Sequence, residues 1–233
     1  MKTIAVLTAM TEELNAVLTL FNNAQESKCC GIPVHIAEFN GKRFLLALSG
    51  VGRTNTAINA ALIAQEYKPD AMLNIGSAGG LKTEQKILDV VIPKEIVGVD
   101  IDLTALGFEY GAVMNEPASY FVDENLHQVI LKLSRECTDI SIHEGTVGSS
   151  EAFICKPEQV AEIGLRFKGR VVCVEMEAFS VAVVCNRFKI PFAIIRSLSD
   201  VPAHGSGNEL AFNEFLHSAS RNAAKILYAY ASL

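Results

Sequence analysis

Ala71-Met72-Leu73-Asn74-Ile75 is a short, almost wholly apolar run that passes directly into Gly76-Ser77-Ala78-Gly79-Gly80. Such a run reads as a strand buried on both faces, as in the parallel sheets of α/β folds. The glycines read as a tight turn at its carboxyl end, where open α/β sheets bind ligands. Ile4–Thr8, Val171–Val174 and Phe192–Ser197 repeat the buried-strand pattern, and Val90–Pro93, Glu95–Val99 and Thr146–Ser149 read as further strands. Helical segments lie between them. Thr11 offers an N-cap, Glu12 and Glu13 suit the first turn, and Leu14, Val17, Leu18 and Phe21 form an apolar stripe. Thr54–Glu66 places Ala57, Ala60, Ala61 and Ala64 on a packing face. Asp123 caps a helix to about Cys137, and Pro157 opens one ending near Phe167. Met176–Arg187 and a segment from about Glu209 to the C-terminus complete the set. Alternating strands and helices imply right-handed βαβ units. Asn40-Gly41 between Pro33–Glu38 and Phe44–Leu48 marks a hairpin, so part of the sheet is antiparallel. The expectation is one α/β domain over residues 1–233: three α/β/α layers around a central mixed, largely parallel twisted sheet.

Composition agrees. Half of the 233 residues are hydrophobic and 20% are charged, which excludes a disordered chain. The net charge of −6 and the lack of a basic cluster argue against a nucleic-acid partner. The apolar start, Met1 to Leu7, is cut short by Glu12 and Glu13, unlike a signal peptide. No uncharged stretch reaches the roughly 18 apolar residues of a membrane span. A cytoplasmic protein is expected. The six cysteines, Cys29, Cys30, Cys137, Cys155, Cys173 and Cys185, show no CxxC spacing and read as free thiols. No metal and no cofactor is implied.

Four strand ends carry chemistry: Ala9 to Glu13, Gly76 to Gly80, Glu175-Met176-Glu177 and Ser199-Asp200. Each has a plainer reading. Glu13 also suits a helix dipole, Gly76–Gly80 a tight turn and Ser199-Asp200 a cap. Gly76–Gly80 is no P-loop, because no GK[ST] follows. Glu175 and Glu177 are harder to read as surface charge, because apolar segments flank them on both sides.

Together, and in this order, these segments resemble the 5′-methylthioadenosine/S-adenosylhomocysteine nucleosidases, within the purine nucleoside phosphorylase and uridine phosphorylase superfamily. The resemblance runs over almost the whole chain. It rests on Ile4–Glu13 (IAVLTAMTEE), Asn74–Leu81 (NIGSAGGL), Ser150–Ile154 (SEAFI), Val174–Ala178 (VEMEA), Arg196–Val201 (RSLSDV) and Phe212–Leu216 (FNEFL). It implies a nucleoside phosphorylase-like fold and hydrolysis of the N-glycosidic bond of an adenine nucleoside, a small-molecule substrate. By the same resemblance Asp200 protonates N7 of adenine, with Ser199 orienting it, and Glu13 activates water. Glu177 holds the ribose hydroxyls, Met176 packs on the sugar, and Glu175 touches the water or the ribose. Ser77 and Gly79 lie near water or sugar, Phe153 stacks on adenine, the Ile154 backbone reads its edge, and Phe212 covers the ribose or 5′ side. The family is typically a homodimer, so Leu103, Leu106 and Met114 are expected to enter the partner's 5′ pocket.

Related phosphorylases carry arginines in the first loop and three residues before the serine equivalent to Ser77. Here no Lys or Arg lies between Lys2 and Lys28, and Asn74 takes the second position. Since phosphate capture needs such donors, water is the expected nucleophile. Arg53 is the one residue that argues otherwise, and it reads as structural. The sequence departs from the family at Val99-Asp100-Ile101-Asp102, which lacks the usual histidine, at Leu106, and at Val201-Pro202-Ala203-His204. His204 reads as a loop residue or a gate. The competing functions are a futalosine-type hydrolase, a nucleoside phosphorylase and a non-catalytic nucleoside-binding protein.

Overall fold

The computed structural model describes residues 1–233 and gathers the apolar runs into one 10-stranded sheet. Its strands are β1 (Lys2–Thr8), β2 (Gln25–Cys29), β3 (Ile32–Phe39), β4 (Lys42–Leu48), β5 (Ala71–Gly80), β6 (Val90–Gly98), β7 (Tyr120–Phe121), β8 (Ile142–Ser149), β9 (Val171–Glu175) and β10 (Phe192–Asp200). The helices are α1 (Thr11–Leu18), α2 (Arg53–Tyr67), α3 (Glu124–Arg135), α4 (Pro157–Arg166), α5 (Ala178–Phe188) and α6 (Asn208–Ala231).

Side chains alternate across a strand, and here both faces are covered. Ala5 and Leu7 of β1, Leu45 and Ala47 of β4, and Ile194 of β10 pack on the side of α2 and α5. Their neighbours Ile4, Val6, Phe44, Leu46, Ala193 and Ile195 pack on the opposite side, with α1, α3 and α6. The three layers follow directly. A third cluster seats α4, through Ile163 and Phe167, on Val97, Val99, Val171 and Val174. No helix is long and apolar enough to cross a membrane.

β1 pairs in parallel with β4 and β5, and β5 in parallel with β10. β6 and β8, and β8 and β9, are also parallel. The antiparallel pairs are β2–β3, β3–β4, β6–β7, β6–β10 and β5–β9. The pairings β5–β10–β6–β8–β9–β5 therefore close on themselves, so one half of the sheet curls into a small barrel. Closure brings the carboxyl ends of β5, β8, β9 and β10 to one rim, beside the end of β1.

Several local expectations need correction. Gly76–Gly80 is not a turn: β5 continues through it, paired with β10 and β9. Val90–Pro93 and Glu95–Val99 form one strand, β6, with a register shift between Pro93 and Glu95 where it pairs with β8. Thr11 is the first helical residue of α1 and Met10 its cap. α5 begins at Ala178 rather than Met176, and β10 extends to Asp200. The hairpin on Asn40-Gly41, with both residues at positive φ, forms as the dipeptide demands. Asp123 caps α3 by accepting from Leu126 N–H at 2.9 Å.

Candidate active site

The rim encloses a mainly apolar cavity with a few convergent polar groups, the make-up of a small-molecule site. Ala9, Met10 and Glu13 enter from the β1–α1 junction, Val51 from the loop before α2, and Ser77, Ala78 and Gly79 from β5. Ala152, Phe153 and Ile154 follow β8, Val174 to Glu177 end β9, Ser199 and Asp200 end β10, and Phe212 comes from α6. The structure thus brings together Glu13, Ser77, Gly79, Phe153, Ile154, Glu175, Met176, Glu177, Ser199, Asp200 and Phe212.

Glu13 is fixed at both oxygens. Its position in the first turn of α1 lets Oε2 accept the N–H groups of Ala9 at 2.9 Å and Met10 at 3.1 Å. Oε1 accepts from Ser77 N–H at 2.9 Å and Ser77 Oγ at 3.1 Å. The first pair is the N3-to-cap half of a capping box, and the second welds α1 to β5. Gly76 is what permits this approach: a Cβ there would lie 2.7 Å from Glu13 Oε1 and would strike Arg196 Nη1.

Arg196 is the residue that sequence reading passed over. It is 1% exposed, in the middle of β10. Its guanidinium lies 2.6 Å from Glu175 Oε2 and 3.6 Å from Glu177 Oε2, and it also bonds Asn74 Oδ1. A buried charge of this kind needs such partners. Burial disfavours its charge, but Glu175, Glu177 and Glu13 outweigh that and hold its pKa above the ordinary value. A signal was present: an arginine inside the apolar run Phe192–Leu198 is rarely buried unless paired.

Glu175 Oε2 also accepts the N–H groups of Glu177 at 2.9 Å and Ala178 at 2.8 Å, so this carboxylate anchors the start of α5. Glu177 is placed differently. Its Oε1 accepts Gly52 N–H at 3.0 Å. Burial, and then the neighbouring Glu175 carboxylate, push its pKa to about 8 against the pull of Arg196. At neutral pH such a group holds a proton, so it can both donate to and accept from ligand hydroxyls.

Asp200 is 1% exposed. Ser199 Oγ donates to its Oδ1 at 2.8 Å, whereas Oδ2 is buried with no protein partner. Burial raises its pKa to about 6; the Ser199 bond opposes this and Glu209 adds to it. Above it, Phe153 and Phe212 meet edge to face with ring centroids 5.5 Å apart.

Leu103, Leu106 and Met114 do not line the cavity of this chain. They lie on the irregular segment after β6, where Leu106 is 63% and Met114 47% exposed. Arg53 does not line it either: its guanidinium is held by Asp100 at 2.7 Å and Glu151 at 3.5 Å. The cavity wall holds no Lys, Arg or His side chain. His204 is an exposed loop residue with Nε2 3.0 Å from the Thr83 carbonyl oxygen. Met10, Val51 and Gly52 also contribute to the site; the positive φ of Gly52, 89°, marks the loop before α2 that carries Val51 and Gly52.

The model of the phosphorylase superfamily matches residues 3–232. The 5′-methylthioadenosine/S-adenosylhomocysteine nucleosidase of Bacillus subtilis is 35% identical over 96% of this chain and 96% of its own. The Neisseria meningitidis enzyme of the same name, solved with methylthio-immucillin-A, superposes with a TM-score of 0.94 at 35% identity, covering 100% of this chain and 99% of that one. A futalosine hydrolase of Helicobacter pylori superposes at 0.91 with 27% identity, over 98% and 96% of the two chains. The chain belongs to the phosphorylase superfamily and, within it, to the 5′-methylthioadenosine/S-adenosylhomocysteine nucleosidase family.

Proposed function

We propose that residues 1–233 form one catalytic domain that hydrolyses the N-glycosidic bond of 5′-substituted adenine nucleosides. The substrates are 5′-methylthioadenosine, S-adenosylhomocysteine and 5′-deoxyadenosine. One observation carries the reading: the cavity wall presents Glu13, Glu177 and Asp200 from three separate segments and no cationic side chain. Carboxylates in different environments can divide acid, base and sugar-holding work, while phosphate capture lacks its donors.

In this reading adenine lies between Phe153 and the Asp200 end of the cavity, its edge on the Ile154 backbone. Asp200 gives its proton to N7 through Oδ2. The C1′–N9 bond breaks, and its electron pair leaves with adenine. Glu13, held by Ser77, receives a proton from the water whose oxygen adds to C1′. Glu177 takes the ribose hydroxyls, Met176 and Gly79 flank the sugar, and Phe212 covers the 5′ side. Arg196 and Glu175 keep this acidic floor in place. The exposed Leu106 and Met114, with Leu103, support a homodimer in which this segment completes the partner's 5′ pocket. We assign this activity to methionine salvage in the cytoplasm.

Incubation with methylthioadenosine, S-adenosylhomocysteine, 5′-deoxyadenosine, adenosine, inosine and a futalosine analogue tests the reading. Release of adenine from the 5′-substituted nucleosides is expected. Turnover of the futalosine analogue alone would move the protein to the second hydrolase class, and no turnover of any would reduce it to a binding protein.

A further inference from the structure

We infer that Arg53, Asp100 and Glu151 form an ionic clasp outside the cavity that positions the Gly52 amide on Glu177 and thereby sets the grip on ribose. The inference rests on the nucleosidase reading above.

Gly52 donates to Glu177 Oε1 at 3.0 Å from the cavity side. Its other side is closed by Glu151, whose Oε1 would lie 2.7 Å from a Cβ at this glycine. The next residue is tied in three directions. Arg53 N–H donates to Glu151 Oε2 at 2.9 Å, its guanidinium to Asp100 Oδ2 at 2.7 Å, and its carbonyl accepts from Ser180 Oγ at 2.7 Å. Asp100 Oδ2 also receives Glu151 N–H at 2.9 Å. The clasp thus joins the loop before α2, the turn after β6 and the loop after β8, while Ser180 fixes it to the first turn of α5, which Glu177 caps. Arg53 has no contact with the cavity, so it acts through Gly52 as a positioning residue. Asp100 and Glu151, which took no part in the chemistry above, acquire a purpose.

Magnitudes separate this role from general stabilisation. The side chains of Arg53, Asp100 and Glu151 are 21%, 30% and 51% exposed, and ion pairs so exposed add little to stability. The Gly52 bond acts instead on the carboxyl group that holds the ligand. Losing the clasp should therefore alter ribose binding while leaving the fold nearly unchanged.

The test is calorimetric binding of two ligands: a hydrolysis-resistant methylthioadenosine analogue with both ribose hydroxyls, and its 2′,3′-dideoxy counterpart. Arg53→Gln is expected to weaken the first by about tenfold and to leave the second within about twofold. Arg53→Lys, which keeps a cation facing Asp100, should recover part of the loss, and Glu151→Gln should behave like Arg53→Gln. Equal weakening of both ligands, or no change in either, overturns the clasp. Wild-type protein that binds neither ligand overturns the nucleosidase reading, and the clasp with it; wild type that binds while Arg53→Gln matches it overturns the clasp alone.

Discussion

Asp200 carries a buried carboxylate oxygen with no protein donor, at the end of a strand and against the cavity. Its pKa, raised by burial from 3.8 to about 6, has two consequences that run in the same direction with pH. For catalysis the protonated form is the acid, so kcat/KM should fall as pH rises through about 6. For stability the same shift favours the protonated folded state. The contribution is full below pH 3.8 and lost as pH rises through about 6. Asp200→Asn removes both. It should lower turnover by about 10²–10⁴-fold. It should also exceed the wild type in unfolding free energy at pH 8, by up to about 3 kcal/mol, with the gap closing near pH 4. A variant with near wild-type turnover would remove Asp200 from the acid role. Glu13 makes the reverse case. Its two oxygens accept two hydrogen bonds each, and Glu13→Gln would set an NH2 group against two of these donors. Loss of hydrolysis together with a lower Tm is expected, and robust activity would exclude Glu13 as the group that activates water.

β5 and β10 show how far elements can be read from a single chain. Their apolar halves were legible because burial on both faces writes itself as an uninterrupted hydrophobic run. Their carboxyl halves were not. Glycine is a poor strand residue and usually marks a break, so Gly76–Gly80 looked like a turn. The actual reason for Gly76 is the crowding of Glu13 and Arg196 against the strand, a contact between segments far apart in the chain. Closure of the β5–β10–β6–β8–β9 circuit was equally hidden, since pairing partners leave no local trace. The polar β2 (Gln25–Cys29) and the two-residue β7 carry no hydrophobic period. Most residues that line the cavity were legible through family resemblance at the strand ends; Arg196 lay within a quoted motif, and its ion pairs appear only in the geometry. Gly76→Ala tests the crowding. It should cost roughly 1–3 kcal/mol through overpacking, lower Tm by about 2–4 °C for each, and reduce activity by displacing Glu13. A fully active variant of unchanged Tm would contradict it.

At the scale of the molecule, the cavity is open on the side of Phe153, 39% exposed, and Val51, 46% exposed. The apolar Leu106 and Met114 stand exposed on the segment after β6. The homodimer proposed above would cover both, one chain's segment closing the opening of the other's cavity. Sedimentation should find a dimer at micromolar concentration. Leu106→Glu should weaken it and reduce the preference for methylthioadenosine over adenosine. A wild-type monomer with full methylthioadenosine activity would exclude a shared site.

The central claim is that water, and not phosphate, attacks the sugar, because the cavity wall offers carboxylates and no free cation. The direct measurement follows adenine release from methylthioadenosine in phosphate-free buffer and across a phosphate titration, with mass spectrometry of the sugar product. The account predicts a rate independent of phosphate and a free 5-methylthioribose. Phosphate-dependent release with formation of the sugar 1-phosphate would contradict it.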